Sequence, residues 1–223
     1  MPTSKLPPTL KNLTISNIQD PSLQLILQTK ISKLLKSSLP KLNKLDLSSN
    51  NLTAFPEKIT SLKISNLNLS NNKMKSLPDF QKNDEFSKNV NSIEIANNLI
   101  SVLPKSLMNV VNLKRLILTK NKIKAIPVHL QYLKNLDVLH LDKNLIRNIP
   151  FHAFTNNQYR KKFKELRLDG NFCFISQKTE APMIKVTYNQ FVPYKIKSLF
   201  DVGIQSLYSA FKFFGPVPKF GHF

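Results

Sequence analysis

Apolar side chains in this chain follow neither a helical period nor strict alternation. In "VNLKRLILTKNKIKAIP", residues 111–127, they fall at Leu113, Leu116, Leu118, Ile123 and Ile126, with Asn121 between them and Pro127 at the close. The pattern recurs. "LNKLDLSSNNLTAFP" at 42–56 has Leu42, Leu45, Leu47, Asn50, Leu52 and Phe55 in the same places, and further copies at 64–78, 90–104 and 136–150 carry Asn72, Asn98 and Asn144. A sixth copy runs from Phe163 through Leu166, Leu168 and Asn171 without its closing proline. The first strand position of each copy falls at 45, 67, 93, 116, 139 and 166, so the steps are 22, 26, 23, 23 and 27 residues, with Ile93 standing in for leucine.

Each position has a physical reason. Two leucines separated by one residue share a face of a short strand, because side chains alternate across it. The chain must then turn, which leaves backbone groups facing inward, and asparagine can donate and accept toward them at once. Asn50, Asn72, Asn98, Asn121, Asn144 and Asn171 would therefore form a structural ladder, one rung per coil. The Leu/Ile-Pro ending points the chain outward, since proline lacks an N–H and biases its predecessor away from helix. Stretches such as "VHLQYLKNL" at 128–136 space leucines every third residue, which suits a 3₁₀ turn or irregular coil. One copy cannot bury its own apolar face, so the copies must stack.

L-x-x-L-x-L-x-x-N-x-L at a period of roughly 20–29 residues is the leucine-rich-repeat signature. The expected fold is an α/β solenoid: a leucine-rich-repeat horseshoe with parallel strands on the concave face, short 3₁₀ or irregular coils on the convex face, and a C-terminal helix. Residues 1–41 read as an irregular N-terminal cap with a degenerate first repeat at Leu10, Leu13 and Ile15; residues 42–173 as the solenoid; residues 174–223 as a linker and amphipathic helix. The longer steps contain 79–89 and 154–163, which read as surface loops.

A hydrophobic fraction of 41% suffices for such a core. No 18-residue apolar run and no charged-then-apolar leader occur, so neither a membrane span nor a signal peptide is expected. The single cysteine, Cys173, cannot build a disulfide cap, which favours a reducing compartment, cytoplasm or nucleus. His129, His140, His152 and His222 show no metal-ligand spacing, and four glycines leave no phosphate-cradling loop. No enzymatic activity, metal or cofactor is expected. The net charge of +20 raises nucleic acid as a partner. No Arg-rich helix, aromatic stacking platform or zinc pattern accompanies the lysines, so attraction to an acidic protein is favoured over nucleic acid.

Binding chemistry remains. The residues flanking the strand leucines should project from the concave surface, and most are polar. Ile117 and Val138 depart from this on adjacent coils, within a rim of Glu94, Arg115, His140 and Arg167. Exposed apolar residues rimmed by charge mark a protein-binding centre.

The tail offers a second candidate. In "IKSLFDVGIQSLYSAFKFF" at 196–214, apolar residues at four-residue steps form one wide helical face. Ser198-Leu199, Gly203 and Leu207 resemble an elongin-binding box, with glycine where the box has cysteine. Such a box after leucine-rich repeats resembles the leucine-rich repeat protein 1 family. That resemblance implies a substrate receptor of a cullin-2 ubiquitin ligase, with the repeats holding a protein substrate and residues 198–207 docking on elongin B/C. Read from its residues alone, the same helix serves equally as a cap on the last coil, leaving a general scaffold or adaptor.

Overall fold

The computed structural model describes residues 7–29, 31, 35, 39–56, 59–149, 164–171, 174–175 and 185–187. Strands β1 (Asn12–Thr14), β2 (Lys44–Asp46), β3 (Asn66–Asn68), β4 (Ser92–Glu94), β5 (Arg115–Ile117) and β6 (Val138–His140) pair in chain order, every pair parallel. A two-residue strand β7 (Asn148–Ile149) then leads to β8 (Glu165–Arg167), which joins the main sheet beside β6, while β7 pairs with β9 (Phe174–Ile175). The eighth strand of the main sheet is β10 (Lys185–Thr187), parallel to β8. This edge lies in a stretch with no repeat period, past the residue-173 limit of the expected solenoid. Three extended residues are enough to add a strand, and they leave no periodic trace.

Register is uniform. Leu13, Leu45, Leu67, Ile93, Leu116, Leu139 and Leu166 are Cα partners from strand to strand. From Leu45 onward these residues are at most 1% exposed, as are Leu47, Leu69, Ile95, Leu118, Leu141 and Leu168, so the core is a continuous apolar column. The asparagines lie along its edge. Asn121 Nδ2 donates to the carbonyl of Leu118 in its own coil and of Ile95 in the preceding one, while its Oδ1 accepts from Ile100 N–H at 3.0 Å. Asn72, Asn98, Asn144 and Asn171 repeat the arrangement. Each rung thus bonds two coils. At the N-terminal end Asn50 reaches Ile15 O and Ile18 N, and the equivalent place in the degenerate coil is held by Ile18 itself. A terminal coil has no preceding coil to bond, so an apolar residue suffices there.

On the far side, 3₁₀ turns at Ile59–Ser61, Lys105–Asn109 and Val128–Tyr132 follow Pro56, Pro104 and Pro127. Each proline carbonyl accepts the first turn bond, from Ile59, Leu107 and Leu130 N–H. The N-terminal cap includes helix α1 (Pro21–Thr29). Asp20 accepts from the N–H groups of Ser22 and Leu23, and Pro21 takes the first helical position, where its missing N–H costs nothing. The Ser22 hydroxyl also donates to this carboxylate, and that bond first, with the two backbone bonds, holds the Asp20 carboxyl below its usual range. Leu27 and, beyond it, Ile31, Leu35 and Leu39 are buried at four-residue steps against the first coils.

The segment 79–89 corrects the expectation of a plain surface loop. It contains a short helix, α2 (Glu85–Asn89), and buries Phe80 and Phe86 completely. Their rings stack with centroids 5.9 Å apart, and Phe55 meets both edge-on at 6.1 and 6.4 Å. The added residues enlarge the core under one coil. The other long step, 154–163, lies outside the described residues.

Candidate partner-binding face

The uniform register turns the concave side into columns of side chains. One column reads Lys44, Asn66, Ser92, Arg115, Val138, Glu165; the next reads Asp46, Asn68, Glu94, Ile117, His140, Arg167. Successive members stand about 4.8 Å apart, close enough for cross-strand pairing. The N-terminal half is neutral or weakly charged, with Asn68 Nδ2 donating to Asp46 Oδ2 at 3.0 Å. Strong charge gathers from β4 to β8. Arg115 Nε donates to Glu94 Oε1 at 3.3 Å, and Arg167 Nε donates to Glu165 Oε1 at 2.6 Å. At the rim, Thr119 Oγ1 donates to Asp142 Oδ1 at 2.7 Å.

The sequence places Ile117 and Val138 here as exposed apolar residues, and the structure corrects this in part. Ile117 is only 7% exposed, and Val138 is half-buried. Ile117 sits mid-column between Glu94 and His140, whose longer side chains leave little of it open to water. The apolar centre is sunk below its charged rim.

His140 is buried to the same degree as Ile117. Its Nε2 lies 3.3 Å from Glu165 Oε1, close enough for attraction but off the line of a hydrogen bond, so this buried nitrogen has no hydrogen-bond partner among the described residues. Burial lowers the affinity of the imidazole for a proton, and the Arg167 and Arg115 charges add to the effect; Glu165 and Asp142 oppose it, and the net direction is down. For Glu165 itself, burial pushes the carboxyl up. The hydrogen bond and charge of Arg167, with His140 facing it, more than offset that and hold Glu165 below the usual carboxylate range. The cluster is therefore a neutral, donor- or acceptor-capable imidazole beside a carboxylate already engaged by arginine.

Glu94, Arg115, Ile117, Val138, His140 and Arg167 thus come together on four adjacent strands, β4, β5, β6 and β8. Glu165, the register partner of Val138 on β8, belongs with them. The elongin-box candidates Ser198, Leu199, Gly203 and Leu207, and Cys173, lie outside the described residues. Among the described residues no group of three or more His, Cys, Asp or Glu is placed to hold a metal, and no helix is long and apolar enough to cross a membrane.

Comparison with known proteins points the same way. A leucine rich repeat family model matches residues 88–146, and a second leucine rich repeat model matches residues 41–62. No curated protein sequence matches the chain. Among solved structures, the chain is similar to one chain of the Toll–Spatzle complex of Drosophila, with TM-score 0.61 and 28% identity over 76% of this chain and 21% of that one. It shares its fold with a leucine-rich-repeat protein of Leptospira interrogans, with TM-score 0.53 and 24% identity over 74% of this chain and 44% of the other. The chain therefore spans less than half the length of either. Six copies of one pattern, a coil-to-coil asparagine ladder and these matches make the chain a leucine-rich-repeat protein.

Proposed function

We propose that the concave face between β4 and β8 holds a protein partner. Leucine-rich repeats imply a protein–protein interaction module. The observation that carries the choice of face is the His140 cluster: a buried imidazole nitrogen without a hydrogen-bond partner among the described residues, beside a sunken apolar pair, inside a ring of Glu94, Arg115, Glu165 and Arg167. Buried polar atoms are costly when unpaired, so a partner that bonds His140 Nε2 recovers that cost on docking. The charged rim then fixes orientation.

In its finer form the reading makes this chain a substrate receptor of a cullin-2 ubiquitin ligase, with Ser198, Leu199, Gly203 and Leu207 docking on elongin B/C. The support for this is the resemblance of the tail sequence. A general scaffold accounts equally well for the repeats.

Affinity capture with quantitative mass spectrometry separates these readings. Wild-type chain is compared with Arg115→Glu/Val138→Asp on the concave face, Tyr132→Ser on a convex turn, and Leu199→Ala in the tail. Apart from elongin B/C, the partner set should vanish from the concave variant alone. Retention there, with loss in the convex variant, would move the interface to the other side. Elongin B/C captured by wild type and lost in Leu199→Ala supports the ligase receptor; no capture at micromolar concentration leaves the scaffold.

A further inference from the structure

The turn that follows each strand carries a second surface, distinct from the concave face. Its segments, 49–55, 71–77, 97–103, 120–126 and 143–149, stack side by side through the same register and contain no Asp or Glu. On the last two of these segments the flank exposes Lys120, Lys122, Lys124, Lys143 and Arg147. Lys73 and Lys75 extend it two coils back, in the columns of Lys122 and Lys124. Asp142, which directly precedes Lys143, occupies the strand side of the turn and accepts from Thr119 Oγ1, while Asp79, beyond the 71–77 segment, accepts from Gln81 Nε2. The ion pairs Arg115–Glu94, Lys164–Asp137 and Arg167–Glu165 use none of these cations.

The backbone supplies an independent observation. The residue before each ladder asparagine is held at positive φ: Ser49, Asn71, Asn97 and Gly170 in four coils, Lys120 at 55° and Lys143 at 54° in the other two. Glycine and asparagine occupy this region at least cost, and a long side chain does so against the steric penalty at Cβ. Two adjacent coils therefore place lysine where the backbone disfavours it and where like charges repel. Strain and repulsion retained together point to a ligand that relieves the second.

The apolar residues of the flank decide what that ligand is. Val102 is 70% exposed, and Leu145, in the column of Lys122, is 42% exposed. Among the described residues of these segments no exposed aromatic ring accompanies them; Phe55, their one aromatic residue, packs against the core. Single-stranded nucleic acid takes its affinity from aromatic stacking as well as charge, and a phosphate backbone gains nothing from aliphatic side chains. A polypeptide with acidic and aliphatic residues interleaved satisfies both features. We propose that this flank docks an extended acidic segment of a protein partner, with aliphatic side chains against Val102 and Leu145 and carboxylates on the lysines and Arg147. From Lys75 to Arg147 is three coil steps, roughly 14 Å, the length of about four extended residues.

Fluorescence anisotropy on the full chain tests this with three labelled probes: a short Asp/Glu peptide with leucine at every third position, the same peptide with serine for leucine, and a single-stranded oligonucleotide of equal charge. At about physiological salt the leucine-bearing peptide should bind on the order of tenfold tighter than either other probe. Lys120→Glu/Lys124→Glu/Arg147→Glu should abolish binding, with Lys120→Gln/Lys124→Gln/Arg147→Gln as the milder set if the first lowers Tm. Leu145→Ser should weaken binding without changing its salt dependence, and the concave variant Arg115→Glu/Val138→Asp should bind normally. Tighter binding of the oligonucleotide, equal binding of the two peptides, no binding of any probe, or indifference to charge reversal each overturns the proposal.

Discussion

Asn121 joins two coils through one side chain, and its replacement removes bonds at three buried backbone groups. Asn121→Leu leaves Ile100 N–H and the carbonyls of Ile95 and Leu118 without this partner. At about 1–3 kcal/mol for each unsatisfied buried group, the loss is roughly 3 kcal/mol or more. Thermal denaturation should show Tm lower by about 6–12 °C or more at this chain length. An unchanged Tm would mean that the rung carries no stability. The positive-φ lysines predict the opposite sign. Lys120→Asn/Lys143→Asn exchanges a strained residue for one that tolerates φ near 55°, and stability should rise by about 0.5–1 kcal/mol per site, with Tm rising accordingly. A fall would show that these side chains make stabilising contacts. His140 gives a third residue-scale test. Its proton affinity is lowered in the fold, so the unfolded chain takes up a proton first as pH falls through the ordinary value of 6.5, and stability declines from there downward. Glu165, also lowered, contributes stability above the ordinary 4.5 that is lost as pH falls through its depressed value. Tm measured from pH 7.5 to 3.5 should therefore decline, with the upper part of the decline, below 6.5, absent in His140→Gln. Identical profiles for both chains would contradict the assigned environment.

At the scale of elements, the repeats were legible because every position in them answers a separate physical demand. The leucine pair marks the strand, asparagine the inward turn, proline the exit, and third-residue leucines the 3₁₀ turn. Where an element answers only one demand, the sequence carries little trace of it. Helix α2 has five residues, too few for a period, and β10 needs only three extended residues. The burial of Ile117 and His140 was hidden for a different reason: concave positions alternate toward solvent, and only the size of the register neighbours sinks them. The phenylalanine cluster shows what the misread segment contributes. Phe86→Ala removes a fully buried ring packed on Phe80 and Phe55, and chemical denaturation should register a loss of about 3–5 kcal/mol. A loss below about 1 kcal/mol is what a surface loop would give.

Across the whole molecule, both proposed surfaces depend on the same device. The concave columns and the basic flank exist only because each coil repeats the register of the one before it. In a solenoid that register is set by nearest neighbours, so the ladder fixes where Arg115, His140 and Lys120 stand relative to residues one and two coils away. Hydrogen exchange on the full chain at neutral pH reads this directly. The amides of Leu52, Met74, Ile100 and Ile123 lie in turns, outside the strands, and donate to the asparagine oxygens of the following coil. If the ladder holds the stack, these four amides exchange as slowly as those of the strand residues Leu67, Ile93, Leu116 and Leu139. Exchange at the rate of an open turn, with the strand amides still protected, would contradict it.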